Sequence, residues 1–351
     1  MAIDPTGVLD EAYERLHRTG PEFDGWLSNH GPMAVEAMTR AGQGESVHHW
    51  LDDYVRRLDD LPKAREPIVG WREALGDERR IGDWIELFTR ELAEAPWREV
   101  LASWWPRLLP GIVAGATHGV IRVGHAVRVL LDQEPTEPRI AELAHGLGYW
   151  AARWQLLPCV LEPAGRLPVS VALEEIPRIA DQTGGIVARV GRLAGLDGWS
   201  TALAALRVPS GIDDARTLLT ELVDTATLRY RTHGHGSGVM LVHAVTAPNA
   251  VLRTLPALPR NLWGQSMAAA WAASAAVTSV YAPATAAEES TLPTGPDGPD
   301  AAAETMARAV RHGDEHAIKF ADTAVDTYAR TGDPRALAAA TRATQLIEPL
   351  A

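Results

Sequence analysis

Apolar residues recur three and four positions apart along nearly the whole chain, punctuated by proline and glycine, and alternating strand-like runs are almost absent. That pattern gives helices one buried stripe and offers no two-residue period for a half-buried strand. It predicts an all-α protein, a single large helical domain over 1–351 built around a central histidine-lined pocket. Helices are expected at about 8–18, 32–41, 46–60, 81–95, 97–109, 117–131, 137–156, 212–232, 261–281, 301–330 and 334–347. Two starts are well signalled: Asn29-His30-Gly31-Pro32, with proline in the first turn, and Asp333-Pro334. The proline-broken stretch 158–200 is less regular, and 282–300 has the composition of a mobile surface loop. No repeat period points to a solenoid.

Composition narrows the function classes. With 46% hydrophobic and 22% charged residues, the 351-residue chain has enough to bury for a globular core. Its net charge of −12 repels polyanions, which argues against nucleic-acid or acidic-membrane binding and points to a small-molecule or protein partner. The single cysteine, Cys159, excludes a disulfide framework and a thiolate zinc cluster and fits a reducing compartment. The opening MAIDPTGVLDEAYERLHR lacks the apolar core of a signal peptide, so a cytoplasmic location is expected. The uncharged run Ser266–Ala287 is long enough to span a bilayer but is mostly Ala, Ser and Thr, and is read as a buried helix. The oligomeric state is left open.

Common cofactor signatures are missing: no G-x-G-x-x-G after a strand, no G-x-x-x-x-G-K, no G-x-S-x-G and no H-E-x-x-H. The run His233-Gly234-His235-Gly236-Ser237-Gly238 reads as a flexible connector, its glycines alternating with the histidines. Other histidines stand in apolar or glycine-flanked surroundings: His30, His118, His125, His243, His312 and His316. Neutral imidazoles without thiolates suit iron, copper or nickel better than structural zinc. His118, Arg122 and His125 share one helix face at i, i+4 and i+7. Residues seven apart lie about 10 Å apart along the axis, so one histidine serves as ligand and the other, with Arg122, touches ligand or substrate. Gly115 and Gly119 favour His118 as the ligand.

His312, His316 and Lys319 are expected to form a second such stripe, with His316 and Lys319 three residues apart. Lys63 and Lys319 are the only lysines among 33 basic residues. A buried lysine of lowered pKa is neutral and adds carbon dioxide to become an anionic carbamate. The plain alternative is a salt bridge to Asp314 or Glu315. His312-Gly313-Asp314 has the spacing of an iron facial triad, but that motif sits on a strand and this segment is helical. Twelve tryptophans outnumber the nine Phe and Tyr together; Trp97, Trp104, Trp105, Trp150 and Trp154 read mainly as core, with some available to line a pocket for a flat aromatic substrate.

Five blocks together resemble the questin oxidase-like family over nearly the whole length: SNHGPM at 28–33, LLPGIVAGATHGVIRVGHAVR at 108–128, AELAHGLGYWAARW at 141–154, LVHAVTAP at 241–248 and HGDEHAIKF at 312–320. The resemblance implies an α-helical oxygenase that uses dioxygen to oxidise or open a ring of an aromatic polyketide such as an anthraquinone. Two pictures of such enzymes exist, a Baeyer-Villiger-type monooxygenase using NADPH and a non-haem iron dioxygenase with a histidine-rich site and a carbamylated lysine. The second assigns His30, His118, His243, His316 and Lys319 to the metal, with His118, His316 and Lys319 central to the reaction and His125, His312 and Arg122 beside them. A non-catalytic polyketide-binding protein is the alternative from another class. The expectations are that the four histidines converge on one ion, that His118 and His316 hand their other ring nitrogen to a carbonyl or to Asp314, Glu315 or Asp322, and that Lys319 is buried without an acidic partner.

Overall fold

The computed structural model describes residues 5–350; residues 1–4 and 351 of the expected domain lie outside them. The all-α expectation holds. Among the described residues there are seventeen α-helices and one two-stranded hairpin, Glu22–Phe23 against Leu27–Ser28, antiparallel, with Glu22 opposite Ser28. Its tight turn puts Asp24 and Gly25 at φ +50° and +80°, as primed hairpin turns require. The described residues gather into two compact units, 5–156 with 253–259, and 157–252 with 260–350.

In the first unit the helix Glu137–Ala152 is the hub, packed against Ile81–Glu94 and His118–Asp132. Its sequence EPRIAELAHGLGYWAA is apolar on most sides, as a helix surrounded by others must be. Small residues let the neighbours close in: a Cβ on Gly148 would sit 2.9 Å from Ile85. Trp84, Trp104, Trp105 and Trp150 are core, whereas Trp97 and Trp154 are half-buried. Trp84 and Phe88 meet Trp104 edge-on at 5.6 and 4.9 Å, and Trp105 meets Trp150 at 5.3 Å.

In the second unit Ile212–His233 packs against Val169–Glu174, Trp263–Tyr281, Glu315–Thr331 and Arg335–Leu346. The Ala-rich helix Trp263–Tyr281 is buried from Ser266 to Val280, and no helix among the described residues is long and apolar enough to cross a membrane. A helix missing from the sequence reading covers Gly238–Thr254, directly after the glycine run read as a flexible connector. Pro248 has no N–H for the carbonyl of Ala244; Ser274 donates its hydroxyl to that oxygen instead, at 2.7 Å. The glycine run is a 3-10 turn, Gly234–Gly236, joining this helix to the one before. Segment 282–300 is irregular apart from the turn Glu289–Thr291, yet it is tied down: the amide of Ala287 donates to Thr232, Arg231 pairs with Glu289 at 2.7 Å, and Gly295 lies against the backbone of Leu337 and Ala338.

One boundary corrects the sequence reading with consequences for the site. The expected single helix over 301–330 is two, Ala301–His312 and Glu315–Thr331. Gly313 adopts φ +84°, its amide returns to Ala309 at 3.1 Å, and the chain leaves the first helix as a left-handed cap. Asp314 then starts the second by accepting hydrogen bonds from the amides of His316 and Ala317 at 2.8 and 3.1 Å.

Candidate metal-binding histidines

In the first unit, His118 opens its helix directly after three consecutive residues in the left-handed region, Gly115, Ala116 and Thr117, at φ +50°, +57° and +70°. For Ala and Thr this costs about 1–2 kcal/mol each, a cost characteristic of sites where side-chain placement matters. The turn brings the carbonyl of Gly115 onto Nδ1 of His118, which fixes the tautomer: Nδ1 carries the proton and Nε2 presents its lone pair. Gly115 has no substitute here, because a Cβ would sit 2.4 Å from the hydroxyl of Tyr149, which itself contacts Ser28.

Nε2 of His118 faces Nε2 of His30 at 2.6 Å, with the ring planes at 89°. His30 is the N-cap of Gly31–Arg40, and its backbone amide donates to the hydroxyl of Tyr54 at 2.6 Å. Asn29 braces it by accepting from the amide of Gly31 and donating to the carbonyl of Gly20. Both rings are buried, 3% and 6% exposed, so ring motion is confined by packing.

Further along the His118 helix, Arg122 and Glu142 form a buried bidentate pair at 2.6 and 2.8 Å, and His17 adds a third bond to Glu142 at 2.9 Å. Burial works to raise the Glu142 carboxyl, but the charge and hydrogen bonds of Arg122, then His17, outweigh it and hold the pKa at about 2. His125 gives Nδ1 to Glu36 at 2.6 Å, and Arg128 grips the same carboxylate. Burial, with Arg128 and Arg253 nearby, lowers the His125 pKa against the pull of Glu36. Arg122 and His125 are thus braces locked to carboxylates rather than groups open to a substrate. Neither Glu36 nor Glu142 was singled out from the sequence, although Glu142 lies inside the 141–154 block.

In the second unit, His243 is fully buried on Gly238–Thr254, and its ring meets that of His316 at 5.6 Å between centroids, tilted by 71°. Asp314, Glu315 and His316 bring ligand atoms within 4.8 Å of one another. Asp314 Oδ1 lies 3.4 Å from Nδ1 of His316. Burial raises the Asp314 pKa, yet hydrogen bonds and charge from His316 and the two capping amides carry it below the usual carboxylate value. Lys319, one turn on, is 0% exposed. Its Nζ has no hydrogen-bond partner among the described residues, so the salt bridge to Asp314 or Glu315 is not formed. Burial strips the ammonium of water and brings its pKa down to about 7, with Glu315 and Asp314 pulling the other way.

His312 departs from the expected stripe. The glycine break turns it away from the His316–Lys319 face, and its Nε2 bonds to the carbonyl of Ile347 at 3.1 Å. Of the sequence-predicted residues, the structure therefore brings together His30 with His118, and His243 with His316. Compared with protein-family models and with curated proteins, the chain matches none.

Proposed function

We propose that the protein is a non-haem metal-dependent oxygenase, with iron as the metal, that uses dioxygen to oxidise or open a ring of an aromatic polyketide. The observation that carries this reading is the preset pair His30–His118. It consists of two buried imidazoles with facing Nε2 atoms, one held in the ligating tautomer by a strained left-handed turn. Two ligands about 2.1 Å from one ion lie roughly 3 Å apart, so the pair accepts an ion by opening a few tenths of an ångström. His30 and His118 would hold the metal, which supplies the one-electron chemistry that lets dioxygen react with a closed-shell ring. Under the resemblance, His243, His316 and Lys319 of the second unit are further metal-binding candidates in their own right, and single substitutions test each.

The chain's own residues do the preparatory work. Gly115 keeps the proton on Nδ1 of His118; Asn29 and Tyr54 fix the backbone of His30; Glu142 and Glu36 neutralise Arg122 and Arg128 beneath. Lys319, buried without a partner, is neutral in part near pH 7, and its amine adds carbon dioxide with loss of one proton to give a carbamate. Arg would not serve, because guanidinium neither loses its proton nor attacks carbon dioxide. The lone cysteine accords with a cytoplasmic enzyme.

The test is dioxygen uptake with a hydroxylated anthraquinone as probe, with and without NADPH, on protein reconstituted with Fe²⁺. Uptake that needs probe and metal but not NADPH supports the reading. Uptake that needs NADPH and survives removal of metal overturns it.

A further inference from the structure

In the first unit, three segments distant in sequence meet at the carboxyl end of the helix Glu137–Ala152. Trp150 donates its indole N–H to the carbonyl of Gly111 at 3.0 Å, and it lies so close to Gly119 that a Cβ there would sit 2.7 Å from its own. Tyr149 is buried and lays its hydroxyl against Gly115; the same hydroxyl and that of Ser28 hydrogen-bond to each other. Arg153, which caps the helix, donates to Glu22 from Nε and Nη2, both at 2.6 Å. Glu22 is the residue opposite Ser28 in the hairpin. The last turn of one helix therefore grips both the hairpin and the left-handed turn.

These grips fall on the two sides of the histidine pair. Ser28 stands two residues before His30, and Gly115 stands three before His118 and accepts its Nδ1 proton. The hydroxyl of Tyr149 touches both segments at once. Burial, then the charge of Glu22, raises the Tyr149 pKa, so the phenol keeps its proton and its bond to Ser28 at neutral pH. Phenylalanine would fill the space of the ring but leave the buried hydroxyl of Ser28 without this partner.

We propose that Tyr149 is the positioning residue of the histidine pair: its hydroxyl pins the strand leading to His30 and the turn leading to His118 onto one helix, and so sets the separation of their Nε2 atoms. The inference deepens the metal reading and rests on it for its consequence. Ligands held on rigid elements at one spacing take an ion without being ordered first, whereas a loose pair loses affinity to that ordering.

Tyr149→Phe, Ser28→Ala and the double variant test it in two measurements. In metal-free protein the proton between Nε2 of His30 and Nε2 of His118 gives a downfield resonance that gauges their separation. That resonance should move upfield in all three variants, and the affinity for Co²⁺ as probe should fall by about tenfold or more. Stability separates positioning from packing: each single variant strands one buried hydroxyl, while the double variant removes both and should regain Tm with the resonance still moved. A resonance in Tyr149→Phe that stays where the parent has it, or one that returns with Tm in the double variant, overturns the proposal. Ser28→Ala carries the same comparison where Tyr149→Phe does not fold. A parent that takes up no Co²⁺ overturns the metal reading, and the resonance still decides the role of Tyr149.

Discussion

The Nε2 atoms of His30 and His118 are 2.6 Å apart with their rings at right angles, so at most one proton fits between them. Since His118 already commits Nδ1 to the carbonyl of Gly115, its Nε2 is the acceptor, and protonating both rings would set two cations face to face. The pair is built for one shared positive centre, a proton or a metal ion.

Gly115→Ala should disturb this pair without touching either ring. The new Cβ meets the hydroxyl of Tyr149 at 2.4 Å and the residue must hold φ +50°, so a loss of about 1–3 kcal/mol is expected, with metal affinity down by about 10–100-fold. Chemical denaturation and metal titration read the two effects separately.

Ala116→Gly should act in the opposite direction on stability. At φ +57° a Cβ is a burden and glycine is not, and the gain is about 1 kcal/mol, a rise of a few degrees in Tm. An unchanged or lower Tm would mean that the left-handed turn carries no strain.

Glu142 sets an acid limit. Its carboxyl is depressed from 4.5 to about 2, so its contribution is complete above the unfolded value and fades as pH falls from about 4.5 toward 2. The amount is about 3 kcal/mol, and Glu142→Gln should flatten that part of the stability curve while leaving Arg122 buried and unpaired, at a cost of about 3–5 kcal/mol at neutral pH.

Lys319 separates two chemistries. Intact mass under native conditions should show the parent heavier by one carbon dioxide, and Lys319→Arg should lose the added mass, the metal and activity together. Lys319→Ala should recover part of the activity with a short-chain carboxylate supplied. Normal turnover of the Arg variant would return Lys319 to a buried amine with no role in the site.

Much of the helical pattern is visible in the residues themselves. Spacing alone places Ile81–Glu94, His118–Asp132 and Trp263–Tyr281 to within two residues. It fails where one glycine does two jobs: Gly313 sits inside a continuous apolar pattern yet supplies a left-handed cap, which removes His312 from the face of His316 and Lys319. It also misses Gly238–Thr254, because a lost proline hydrogen bond is made good by Ser274, 26 residues after Pro248. The burial of Lys319 was foreseen from the scarcity of lysine, whereas the carboxylates that hold Arg122 and His125 come from distant helices and leave no local trace.

The most direct test of the account is elemental analysis of protein purified without chelator and supplied with Fe²⁺ under anaerobic conditions, beside His118→Ala treated identically. The account predicts about one iron per chain in the parent and a loss of about tenfold or more in the variant. A parent that holds no metal, or a variant that holds as much as the parent, would contradict it.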